Sequence, residues 1–199
     1  MAETYRYRMT VVVDTAAGRR SGSSVIQVKM RPGGLLSGYA YVADYHGEAV
    51  AIDLPGGRTL YALLTKPQAS YGAEFYALAA YRDVLPHTSN WRDDIEALQT
   101  QRAPALLGPK DYPRLVTFAD PRDPKTVVPI EPSKLSTIFG PGVRLAHIEI
   151  AITTDPVTET IAARLPSFGP ETGFPTWWRQ LPYGDPRIIN SYDFRRKEN

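Results

Sequence analysis

The sequence contains no cysteine, which removes disulfides, thiolate catalysis and cysteine-ligated zinc or iron–sulfur centres. It does not fix a compartment, because a domain of this size folds without cross-links in an oxidising space too. Histidine is scarce: the only ones are His46, His87 and His147, far apart in sequence, and none sits in a local pattern with a serine and a carboxylate. No apolar run approaches the ~18 residues needed to cross a bilayer as a helix. The opening Met1-Ala2-Glu3-Thr4 is short and polar, so no signal peptide is expected and the chain reads as soluble. An excess of one charge is missing as well. The formal net charge is +2, too small to hold a polyanion unless the basic residues cluster. Arg6, Arg8, Arg19, Arg20, Lys29 and Arg31 are interleaved with apolar positions, and the densest basic run, Arg195-Arg196-Lys197, is expected to fray. Nucleic acid is therefore not an expected partner.

What is present is a folded chain's composition, 43% hydrophobic and 22% charged, written mostly with a period of two. Tyr5, Tyr7, Met9, Val11 and Val13 share one strand face, with Arg6, Arg8, Thr10 and Asp14 on the other. A turn through Ala16-Ala17-Gly18 leads to Ile26, Val28 and Met30, and the pair reads as a hairpin. Pro32-Gly33-Gly34 breaks the chain. Val50, Ile52 and Leu54 and then Leu60 to Leu64 read as strands flanking Pro55-Gly56-Gly57, where proline presets φ and glycine accepts positive φ. Leu115 to Phe118 and Thr126 to Ile130 flank the Asp120–Pro124 turn. The clearest strand holds Ala146, Ile148, Ile150 and Ile152 on one side and His147, Glu149 and Thr153 on the other.

Helices are fewer. Asn90 caps a helix with Trp91, Ile95 and Leu98 at i, i+4 and i+7. Ser133 to Phe139 forms two turns stopped by Gly140-Pro141-Gly142. Asp155-Pro156 is expected to open a third. Glu74 to Tyr81 fits either a strand or a short helix, and the nearby Gly72 and Pro86 favour the strand. The expected fold is mainly β, an antiparallel sandwich or partly open barrel with two or three short peripheral helices. It forms one domain over 1–199, with an irregular proline- and aromatic-rich segment, 166–199, packed on it.

The search for chemistry returns weak signals. Gly18-Arg19-Arg20-Ser21-Gly22-Ser23-Ser24 lacks the lysine and strand-to-helix context of a phosphate loop and reads as a hairpin connection. No serine lies in a Gly-x-Ser-x-Gly elbow. Asp44, Glu48 and Asp53 are close enough in sequence to suggest paired carboxylates, but among 21 acidic residues such neighbours arise by chance. His147 and Glu149, at i and i+2 on a strand, project from one face and make a candidate metal pair that His46 or Asp44 would complete. No cofactor is expected. The aromatic C-terminal segment is harder to set aside: Trp177, Trp178 and Tyr183 place large amphipathic rings in an irregular region, as at a protein interface. The competing expectation is that this tail plugs the end of the sheet.

Several stretches resemble an uncharacterised family of proteobacterial proteins. They are Tyr5–Val11 with Ser21–Ile26, Gly47–Val50 with Arg58–Leu64, and Tyr112–Phe118 with Asp123–Val127, Phe139–Leu145 and Asp155–Thr158. The resemblance spans roughly two-thirds of the chain and carries no assigned activity. Some members begin with a secretory or lipoprotein leader, which implies a cell-envelope or periplasmic setting. This chain departs from them in having no cysteine and a polar opening that is not expected to act as a leader. The leading expectation is a non-catalytic interaction or structural protein that binds another protein through its aromatic C-terminal segment. The alternative is a small-molecule-binding protein or hydrolase with a site at the mouth of the β-sheet, where His46, His147 and Glu149 would converge.

Overall fold

Apolar side chains at every second position from Tyr5 to Val13 need a partner strand and a cover for one face. The computed structural model, which describes residues 2–34, 38–69, 71–165 and 176–197, supplies both. Strands β1 (Glu3–Thr15) and β2 (Gly18–Pro32) pair antiparallel in full register, from Glu3 opposite Met30 to Thr15 opposite Gly18. Gly18 adopts φ +101°, a conformation that glycine takes without steric penalty. The Gly18–Ser24 stretch is therefore the first half of β2 and not a hairpin connection. The apolar period merely begins later, at Val25.

β3 (Tyr41–Glu48), β4 (Val50–Asp53) and β5 (Thr59–Ala62) follow. β3 joins the hairpin, and after Ala49 the chain crosses into a second sheet. Later come β6 (Ala105–Leu106), β7 (Leu115–Phe118), β8 (Val127–Ile130), β9 (Arg144–Ile152) and β10 (Arg195–Arg196). One sheet has the order β10-β3-β2-β1-β9-β6, the other β4-β5-β7-β8, and all their pairings are antiparallel. The mainly β expectation thus holds as two open sheets, not closed into a barrel. Arg195 and Arg196, expected to fray, instead form the edge strand on β3.

The inner faces of both sheets share a core. Tyr7, Met9, Ile26 and Met30 from the large sheet meet Val50, Ile52, Leu60 and Leu115 from the small one. Each large apolar side chain removed from water contributes roughly 1.5–3 kcal/mol before entropy is counted. The sheets approach closely at Gly22, where an added Cβ would lie 2.2 Å from the Ala51 carbonyl oxygen. The outer face of the small sheet carries a second core, in which Tyr61, Val116 and Phe118 pack with Ile161, Leu165, Ile189 and Phe194.

The helices are α1 (Tyr76–Ala80), α2 (Trp91–Gln99), α3 (Leu135–Phe139), α4 (Ile161–Arg164) and α5 (Ser191–Phe194). Asn90 caps α2, accepting from the Arg92 N–H, and Ile95 and Leu98 are buried, as the spacing predicts. At 74–81 the strand expectation is wrong: three alanines, among the best helix formers, make α1 in one turn and a little more. The helix expected at Asp155-Pro156 is also absent. Residues 153–160 instead run as an extended strap across the outer face of the large sheet, because stronger partners hold them there. Arg8 pairs with Asp155, Arg6 donates to the Thr154 and Asp155 carbonyls, and Thr158 N–H donates to the Val25 carbonyl at 3.2 Å. Helix α4 begins only at Ile161. There buried Glu48 accepts from Thr160 N–H, Thr160 Oγ1 and Ile161 N–H at 2.8, 2.8 and 2.9 Å.

Candidate functional site

The C-terminal segment divides into an anchored part and a presented part. Ile189 and Phe194 are fully buried in the second core, while Tyr183 and Tyr192 are exposed, Tyr183 completely (106%). The anchor is built from polar groups too. Asn190 caps α5 and Asp193 returns a bond to the Asn190 N–H, a reciprocal capping box. Arg114, leading into β7, donates from Nη1 to the Ile188 carbonyl at 2.6 Å.

Between the presented part, the loop that follows β5 and strand β10 lies a groove of about 960 Å³. Trp178, Tyr183 and Tyr192 contribute aromatic walls, and Arg114, Arg196, Asp193 and Tyr45 contribute polar ones. The Arg196 guanidinium sits 4.7 Å from the Tyr45 ring centroid, and the Arg179 guanidinium 5.7 Å from that of Trp178, both within cation–π range. Burial pushes the Tyr45 hydroxyl above its usual range, an effect that Arg196 partly offsets. Burial also raises the Asp193 carboxyl, despite bonds from Asn190 and Thr65. Asp185, by contrast, is held at about 2 by the Arg187 guanidinium and backbone N–H. Burial thus works against ionisation of Asp193, Asp185 has Arg187 as its own cation, and Arg114 and Arg196 line the same groove.

Beneath the groove, the Tyr76 hydroxyl is buried with no hydrogen-bond partner among the described residues. Its electrostatic neighbours include Tyr45, Arg114 and Asp193, all of which line the groove. Gly72 makes room for it, since an added Cβ there would lie 2.5 Å from Tyr76 Oη.

Of the residues expected to bind, Trp178 and Tyr183 come together in this groove, and the Trp177 side chain lies outside the described residues. Residues 166–175 lie outside them as well. His147 and Glu149 do share one face of β9, opposite Val12 and Thr10 of β1. Among the described residues, however, no three histidine, aspartate or glutamate side chains are grouped to hold a metal. His46 is three strands away on β3, about 14 Å across the sheet at ~4.8 Å per strand. It faces Glu159 of the strap, with Nε2 2.9 Å from Oε1. The three groups do not converge on one cavity.

Arg114 and Asp193 were not singled out by sequence, and Arg196 appeared there only in a basic run expected to fray. The signal that could have placed Arg196 is the basic run at 195–197, once β10 is recognised as a strand. Arg114 carries none, because its role depends on a carbonyl 74 residues away. Compared with known proteins, the chain matches no family model, no curated protein and no solved structure.

Proposed function

We propose that this chain is a non-catalytic interaction protein whose partner binds in the groove between the C-terminal segment and β10. The observation that carries the reading is the full exposure of Tyr183 beside Trp178, Tyr192, Arg114 and Arg196. Tryptophan, tyrosine and arginine dominate binding energy at interfaces because they combine large contact area with directed polar groups. A ring exposed next to a segment that buries Ile189 and Phe194 is not needed to hold the segment in place. The groove's size also lies in the range of small-molecule sites, which favours a metabolite-binding role as the second reading.

The test is affinity purification of tagged full-length protein from its native cells, compared with a Trp178→Ala/Tyr183→Ala double variant. A stoichiometric protein partner captured by the parent and lost from a variant with an unchanged unfolding midpoint supports the interaction reading. A partnerless monomer that co-purifies with a small molecule supports the second. A variant that unfolds would show that the rings are core and would remove the site.

A further inference from the structure

One residue on the rim of the groove holds a backbone conformation that its type does not favour. Lys66, Pro67, Gln68 and Ala69 form a β-turn in the loop after β5, closed by the Ala69 N–H on the Lys66 carbonyl at 3.2 Å. Proline keeps φ negative at position 67, and Gln68 follows at φ +58°, a sequence of angles in which the second residue is usually glycine. His87, at φ +51°, is the other described non-glycine residue with positive φ. It has a local reason: its N–H donates to Asp94 and its ring meets the Arg82 carbonyl. Gln68 has none. It is exposed, it lines the groove, and among the described residues its side-chain amide makes no hydrogen bond. Strain without a structural return gathers where ligands are held.

The charged groups of the groove, by contrast, are already matched. Two arginines and two aspartates line it. Asp193 accepts from Thr65 and Asn190, Asp185 from Arg187, Arg114 donates to the Ile188 carbonyl, and Arg196 lies over the Tyr45 ring. The polar groups left without a hydrogen bond among the described residues are uncharged: the indole N–H of Trp178, the hydroxyls of Tyr183 and Tyr192, and the Gln68 amide.

We propose that the groove takes an uncharged, proline-rich segment of a protein partner in the polyproline II conformation, with Gln68 as a specificity-determining residue. Such a segment presents carbonyls that make no internal hydrogen bonds, and its prolines bring no N–H that would be buried unpaired. Indole and phenol groups donate to those carbonyls while their rings pack against the pyrrolidines. Gln68, which has both a donor and an acceptor, answers the peptide group of a non-proline residue between them. A strongly acidic or basic segment finds no uncommitted counter-charge, and a β-strand brings an N–H on every residue. The inference rests on the interaction reading and names the partner's chemistry.

The probe is an eight-residue peptide of alternating Ala and Pro, titrated into the full-length protein and followed by NMR at the Trp178 indole and Gln68 side-chain amide resonances. A Gly–Ser peptide of the same length and a linear glucose hexasaccharide are the comparisons. Saturable shifts with the Ala–Pro peptide alone are expected. Gln68→Ala keeps the strained turn but removes the amide, and should weaken the peptide by about fivefold. Gln68→Gly should weaken it similarly while raising the unfolding midpoint by ~1–3 °C. No saturable shift, equal shifts with the Gly–Ser peptide, or binding of the saccharide in place of the peptide would overturn the proposal. So would peptide binding unchanged in both Gln68 variants, or a lowered midpoint for Gln68→Gly, which would make Gln68 a residue of the fold. The two ideas fail separately. A native partner lost from the Trp178→Ala/Tyr183→Ala variant, with no Ala–Pro binding by the parent, leaves the groove standing and removes the proline-rich class. A native partner that this variant still captures overturns both.

Discussion

Thr65 donates its hydroxyl to Oδ1 of Asp193 at 2.8 Å, joining positions 128 apart in the chain and fixing the loop after β5 to helix α5. The other oxygen of Asp193 accepts from the Asn190 N–H at 2.7 Å. Asparagine at 193 can keep both bonds, with its oxygen toward Asn190 and its amide donating to the Thr65 oxygen, whereas alanine leaves two buried polar groups without partners. Asp193→Asn should therefore lose under ~1 kcal/mol at neutral pH and Asp193→Ala ~1–3 kcal/mol, the range for orphaned buried groups. Burial raises this carboxyl, so the stability linked to its proton is complete below the ordinary aspartate value near ~3.9 and is lost as pH rises through the raised one. Urea unfolding at several pH values should show the Asn variant gaining on the parent as pH increases across that window.

Two buried tyrosines should respond oppositely to loss of their hydroxyls. Tyr7 Oη donates to the Ala73 carbonyl at 2.6 Å, while Tyr76 Oη has no hydrogen-bond partner among the described residues. Tyr7→Phe removes a made bond and is expected to cost ~1 kcal/mol or somewhat more. Tyr76→Phe removes a group already carrying an unrecovered desolvation penalty and should be neutral or stabilising. Equal losses for the two in chemical denaturation would show that Tyr76 has a partner after all.

The contrast between what sequence showed and what it hid follows from the range of the interactions. The β1–β2 hairpin, the 55–57 turn and the Asn90 cap are written in neighbouring residues, and they form where expected. Strand β3 was missed because its inner face, Tyr41, Ala43, Tyr45 and Gly47, holds no Val, Ile or Leu, while its polar positions Asp44, His46 and Glu48 answer to partners elsewhere: Arg31, Glu159 and the N-terminus of α4. The Asp155-Pro156 start signal lost to Arg8, a partner from the other end of the chain. At the candidate site, the rings of Trp178 and Tyr183 were visible as composition. Their arginine neighbours became visible only when β10 and the residues before β7 were brought together.

Gly22 tests how tightly the two sheets are held. It lies inside β2 with no unusual backbone requirement, and its importance comes from proximity alone: an added methyl would reach 2.2 Å from the Ala51 oxygen and 3.1 Å from Ile52 Cγ1. The first of these is backbone, which cannot swing aside as a side chain would. Gly22→Ala should therefore destabilise by at least the ~1–3 kcal/mol typical of overpacking, despite alanine's better strand entropy. Gly34→Ala, where no described residue lies within 4 Å of the added Cβ, is the control expected to change thermal stability little.

Glu48 should prove the most sensitive single carboxylate, because three donors depend on it and it is only 2% exposed. Its Oε1 holds the N–H and hydroxyl of Thr160, and its Oε2 holds the Ile161 N–H, so the pair of oxygens ends the strap and begins α4 in one step. Glu48→Gln retains an acceptor for Thr160 but turns an amide toward the Ile161 N–H. Glu48→Ala abandons all three donors and opens space beneath them. The expected order of stability is parent, then Gln, then Ala, with the alanine variant losing ~2–5 kcal/mol. The loss should be uneven along the chain. Amide exchange at 158–165 should accelerate first, since Ile161 and Leu165 enter the second core through this anchor, while the β1–β2 amides retain the protection of the main core. Uniform acceleration would mean instead that the two cores unfold as one unit and that the strap has no stability of its own to lose.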